Sequence, residues 1–127
     1  MKGSLPTDNK ERKAIPIWTG VIEYFPKILL EVAQVSRDGN EQNNPGEPLH
    51  WAQGKSTDHM NCMMRHAMEH GTRDTDGRRH IAKAIWRLMA QGEMEIEAEQ
   101  AGMSTEYYIQ MLEKEEAKKC NKKITPQ

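Results

Sequence analysis

Two cysteines, Cys62 and Cys120, stand 58 positions apart with no Cys-x-x-Cys spacing. That excludes a disulfide framework and a zinc finger, and it reads as free thiols in a reducing compartment. No run approaches the roughly 18 apolar residues of a membrane span. The opening MKGSLPTDNKERK lacks the apolar centre of a signal peptide, so no membrane partner and a cytoplasmic setting are expected. Net charge is -1 with 29 % charged residues, so no excess of one sign draws in duplex nucleic acid. There is no His-Glu-x-x-His, no glycine-rich phosphate loop, no heptad array, no internal repeat and no alternating strand pattern. Helices are what remain.

At 127 residues the chain fits one domain, and its mean hydropathy of -0.88 is low for a compact monomer. Nine methionines against one phenylalanine suggest an adaptable core, or one completed by a partner chain. Residues 1–13 read as a flexible polar arm, residues 14–101 as a helical domain, and residues 102–127 as a final helix with a basic tail. The first helix should open at Pro26 and close at Gly39, with Ile28, Val32 and Val35 inward. A long loop follows over residues 39–55, rich in Asn, Gly and Pro and anchored by Leu49 and Trp51; loops of that length are usually functional or disordered. The second helix should be capped by Ser56 or Thr57 and stop at Gly71. The third, capped by Asp74 or Asp76, should turn Ile81, Ile85 and Leu88 inward and run to about Ala101. A fourth begins after Ser104, with acids early and lysines late to match the helix dipole. An all-α bundle of about four helices is expected.

At about 100° per residue, Met60, Met63, Met64 and Met68 share one side of the second helix and should be core. The opposite strip carries Asp58, Cys62, Arg65, His66, Glu69 and His70. His66 and Glu69 stand at i, i+3, close enough for two ligands on one cation. His80, Lys83 and Arg87 share a strip on the third helix. If the two helices form an antiparallel hairpin, His66, Glu69, Asp74, Asp76 and His80 gather at its turn. By spacing alone, His59 and His70 are surface residues, and Arg73, Arg78 and Arg79 are solvated charges.

Two segments, residues 20–58 and 64–90, and their order resemble the phage-associated dATP/dGTP diphosphohydrolase N-terminal family. The resemblance covers roughly residues 15–97. It rests on GNEQNNPGEPLHW with the KSTD that follows, the pair Arg65–His66, and DTDGRRHIAKAIWR. It implies a helical, oligomeric, MazG-like nucleotide pyrophosphohydrolase that uses magnesium or manganese and acts on purine deoxynucleotides, in the host cytoplasm if phage-encoded. MazG-like proteins bind metal through Glu-x-x-Glu and Glu-x-x-Asp pairs. Here those positions read His66-x-x-Glu69 and His80-x-x-Lys83, so the resemblance implies a mixed set: Glu69, His66 and His80 with Asp76, Glu31 or Glu41. Imidazole ligands favour manganese, iron or zinc over magnesium. In this scheme Glu41 or Asp58 orients the attacking water, and Arg65, Lys83 and Arg87 offset charge on the leaving pyrophosphate. His50, Trp51 and Lys55 hold the nucleotide. The missing acidic pairs equally suit an inactive nucleotide-binding module, and a protein-interaction module is a third alternative.

Overall fold

The structure is a computed structural model that describes residues 5–124, so the first four residues of the arm and the last three of the tail lie outside it. Five α-helices and one π-helical turn form, with no strand among the described residues, as the expected all-α class requires. The chain divides into two units, one up to Leu30 and one from Glu31 onward. Among the described residues, no helix is long and apolar enough to cross a membrane.

In the first unit the polar arm carries a short helix, α1 (Asn9–Lys13). Asp8 caps it by accepting the Glu11 backbone N–H at 3.0 Å. The Pro16 carbonyl accepts from Gly20 N–H at 2.7 Å, at the start of a π-helical turn over Trp18–Ile22.

Helix α2 (Pro26–Asn43) opens at proline, whose missing N–H is no loss there. Its expected end at Gly39 is incorrect: the helix continues for another turn. Pro45 is the effective stop, because proline disfavours helical conformation in the residue before it. Gly46 then reverses the chain at φ 77°. The loop is therefore residues 44–58, and asparagine amides order it. Asn40 Oδ1 accepts from the His50 backbone N–H at 3.2 Å and from Asn44 Nδ2 at 3.1 Å. Buried Asn44 also donates to the His50 carbonyl at 3.3 Å, and Lys55 Nζ donates to the Asn43 carbonyl at 3.0 Å.

Helix α3 (His59–Met68) receives no side-chain cap from Ser56 or Thr57, both of which are engaged elsewhere. Thr57 donates its hydroxyl to Glu113 at 3.3 Å. Ser56 sits in the left-handed region at φ 51°, where Arg87 holds its carbonyl at 2.9 Å and its hydroxyl oxygen at 3.0 Å. The turn to α4 (His80–Gln100) is closed by His80 N–H on the Thr72 carbonyl at 3.2 Å and by Asp74 N–H on the Arg78 carbonyl at 2.8 Å. Asp74 and Asp76 do not cap α4. The Arg79 N–H at its start instead donates to Glu31 Oε1 on α2 at 2.7 Å, which puts a carboxylate at the positive end of the dipole. Arg78 and Arg79 are likewise not free solvated charges. Arg78 Nε bonds Asp38 Oδ2 at 2.7 Å, and Arg79 pairs with Glu31 at 3.3 Å, tying the turn to α2.

Helix α4 ends in a Schellman motif: Met103 N–H reaches the Ala98 carbonyl and Gly102 N–H the Glu99 carbonyl, with Gly102 at φ 69°. Helix α5 (Thr105–Ile124) follows, with Ser104 Oγ accepting from Tyr107 N–H at 3.2 Å. The Tyr108 hydroxyl donates to Glu97 at 2.7 Å, and that bond, with burial, pushes its pKa up to about 12. Helices α3 and α5 both pack on α4.

The interior follows the expected stripe on α2, where Val32 is buried, and departs from it on α3 and α4, where Met63 and Ile85 are only half-buried. The buried residues of α4 are His80, Ala82, Ala84, Ala90, Met94 and Ala98. Ile81 and Leu88, expected inward, are exposed, and so are Met60, Met64 and Met68 on α3. Periodicity identifies an apolar face but not the neighbour that covers it. Small residues on α4 let adjacent helices approach on the face that carries His80.

Gly54 lies where the loop meets α5, and a Cβ there would collide with the Leu112 carbonyl oxygen. Gly54→Ala is expected to destabilise the protein by about 1–3 kcal/mol, read as a lower urea midpoint.

Candidate functional site

The site is built where α3 hands over to α4. His66 lies near the end of α3, His80 is the first residue of α4, and Asp74 and Asp76 stand in the intervening turn. Because the helices run back on each other, the two imidazoles meet: His66 Nδ1 and His80 Nδ1 are 2.9 Å apart. His80 is buried, and its Nε2 faces Glu69 Oε2 at 3.0 Å. One ligand atom each from His66, Asp74 and His80 lies within 4.8 Å of the others.

Lys83, one turn into α4, places Nζ 2.8 Å from Asp74 Oδ2 and 2.8 Å from Asp76 Oδ2. The Lys83 hydrogen bond and the Thr75 backbone N–H lower the Asp74 pKa to about 2. Asp76 is also lowered, chiefly by the Lys83 hydrogen bond. Burial works against the Lys83 charge, but the two carboxylates outweigh it and its pKa rises. The His66 pKa is lowered by burial and then by its His80 and Lys83 neighbours.

His66, Asp74 and His80 could hold a single divalent cation. Two imidazoles and one ionised carboxylate suit manganese, iron or zinc better than magnesium. The Glu69 contact on the far nitrogen of His80 is the carboxylate–histidine arrangement that commonly orients metal-bound imidazole.

A cavity of about 470 Å³ adjoins the cluster, and Trp51, Trp86, His50, His66, Lys83 and Arg87 contribute to its wall. Trp51 and Trp86 meet edge to face with centroids 5.9 Å apart. Arg87 braces the wall: besides Ser56, its Nη1 donates to His59 Nδ1 at 3.1 Å. His59, expected at the surface, is instead fully buried; its Nε2 has no hydrogen-bond partner among the described residues. Burial, with Arg87 adding to it, lowers its pKa to about 4.

The predicted site residues thus divide. His66, Asp76, Lys83, Arg87, His50, Trp51 and Lys55 all line the cavity. Lys55 and Arg87 do so with their hydrogen bonds committed to the loop. Asp74, rather than Asp76 or Glu69, joins the two histidines. Glu69 backs His80 from an exposed position. Glu41 and Asp58 are exposed and Arg65 donates to Cys62 Sγ at 3.0 Å; none of the three lines the cavity. Trp86 was missed, although it stands three residues beyond Lys83 on the same strip.

Fold and site together define an all-α protein with a histidine–aspartate cluster beside an indole-walled cavity. The dATP/dGTP diphosphohydrolase, N-terminal family matches residues 6–104, and the chain belongs to that family. No curated protein and no solved structure matches it.

His59 gives the stability a defined pH dependence. An unfolded imidazole titrates near 6.5 and the buried one near 4, so between these values the unfolded chain binds the extra proton. Stability is fully present above pH 6.5 and falls as the pH drops toward 4, by up to about 3 kcal/mol from this group. Urea unfolding across that range should show the loss, and His59→Gln, which keeps a neutral acceptor for Arg87, should flatten it.

Proposed function

We propose that the protein hydrolyses dATP- and dGTP-like triphosphates to the monophosphate and pyrophosphate. The observation that carries this is the His66–Asp74–His80 cluster set beside a cavity walled by two tryptophans and reached by the Lys83 ammonium. A divalent cation of the manganese type, held by those three residues, would supply Lewis-acid polarisation of the phosphates and a more acidic water.

The chain's own residues do the rest. Trp51 and Trp86 offer indole surface for a purine, and His50 also lines the cavity. The water oxygen bonds the α-phosphorus and releases its proton to the surrounding water, while the bond to the bridging oxygen breaks and pyrophosphate leaves with that electron pair. Lys83, on the cavity wall, offsets the charge that develops on it. Asp38 and Asp76 are the carboxylates that line the cavity, and both are held anionic, by Arg78 and Lys83 hydrogen bonds respectively. Such weak bases orient water by accepting its hydrogen bond, the role first expected of Glu41 or Asp58, neither of which lines the cavity.

The test is a nucleotide panel assayed with manganese and with magnesium, read for monophosphate and pyrophosphate. His66→Ala and His80→Ala should each lower kcat/KM by at least about a hundredfold, and Glu69→Gln by about tenfold. Trp51→Ala should act mainly on KM. Nucleotide binding in EDTA with no product under any metal would make the protein a binding module instead.

The proposal extends to a homo-oligomer. Met60, Met64 and Met68 on α3 and Ile81, Leu88 and Met89 on α4 are all exposed, an apolar surface a second copy would cover. Sedimentation should report an oligomer, and Met64→Glu should shift it toward monomer; a monomeric parent protein would refute this extension.

A further inference from the structure

The Lys83 side chain is set against the very carboxylate the cation would need. Asp74 has both oxygens in use. Oδ1 accepts the Thr75 backbone N–H at 2.7 Å, and Oδ2 accepts Lys83 Nζ at 2.8 Å. A divalent ion drawn to Asp74, His66 and His80 would approach an ammonium already seated on that oxygen, and two like charges sharing one partner repel. Lys83 has a second berth, since Asp76 Oδ2 is also 2.8 Å from Nζ. Asp76 and Lys83 both line the cavity, whereas Asp74 does not. An ammonium that leaves Asp74 and keeps Asp76 stays at the cavity wall, where a polyphosphate would lie.

We propose that Lys83 is an exchangeable internal cation: its ammonium occupies Asp74 until a divalent ion displaces it, and it then remains on Asp76 facing the cavity. This rests on the assignment of His66, Asp74 and His80 as the metal-binding set. The cluster then has two occupied states, one with the tethered ammonium on Asp74 and one with the metal. Metal binding and the availability of Lys83 to an anion become coupled.

The experiment is manganese titration of the full-length, nucleotide-free protein by calorimetry, independent of turnover. Lys83→Met and Lys83→Gln remove the competitor and should tighten manganese binding at least about tenfold. Lys83→Arg keeps the charge and should give no such gain. His66→Ala should weaken binding in every background, which locates the ion. Circular dichroism identifies any variant that fails to fold, and either neutral variant alone suffices. If His66→Ala abolishes manganese binding but neither neutral variant tightens it, the exchange is overturned while the metal assignment survives. If the parent and both neutral variants bind no manganese, the assignment falls and the exchange falls with it.

Discussion

His80 is an imidazole buried at the start of a helix, and both of its ring nitrogens find partners, from two directions. Its Nε2 faces Glu69, and its Nδ1 faces His66. Both partners come from the end of α3, so the handover between the helices has little freedom. The turn must be short enough to bring them back, and Gly77 at φ 86° permits the reversal. Asp74 and Asp76 are then carried to Lys83 as a by-product of the same tight geometry. The cluster is a consequence of how α3 turns into α4.

The second constraint is the ordering of a long loop by amide and guanidinium groups instead of apolar packing. Asn40, Asn44 and Lys55 form a chain of hydrogen bonds from the last turn of α2 across the loop, and Arg87 fixes its far end at Ser56. Trp51 is thereby held against Trp86. A segment that composition marks as irregular becomes a fixed wall because its polar side chains satisfy its own backbone. Lys55 and Arg87 therefore shape the cavity through the loop, with their donors already spoken for.

Much of this was legible in the residues. The four long helices, the hairpin between the second and third of them, and the meeting of His66 with His80 follow from apolar periodicity, glycine placement and helical angles. Three things were not. Stripes on α3 and α4 look like core from spacing, yet Met60, Met64, Ile81 and Leu88 face outward, because alanines take the interior of α4. The choice of Asp74 over Asp76 depends on turn geometry that Asp-Thr-Asp-Gly does not specify. His59 is indistinguishable by position from a surface histidine until Arg87, 28 residues away, is seen to reach it. None of the three is encoded by apolar spacing and helical angle alone.

The bond from Arg79 N–H to Glu31 has a mechanical side. A helix usually carries its own first-turn partner nearby, but α4 borrows one 48 residues upstream on α2. The borrowed carboxylate stands one residue before His80, and Asp38 grips Arg78 beside it. Helix α2 thus acts as a rod bolted to the mouth of the imidazole pair at two points. The two contacts fasten α2 to the backbone just ahead of His80, so the start of α4 is held from outside its own hairpin.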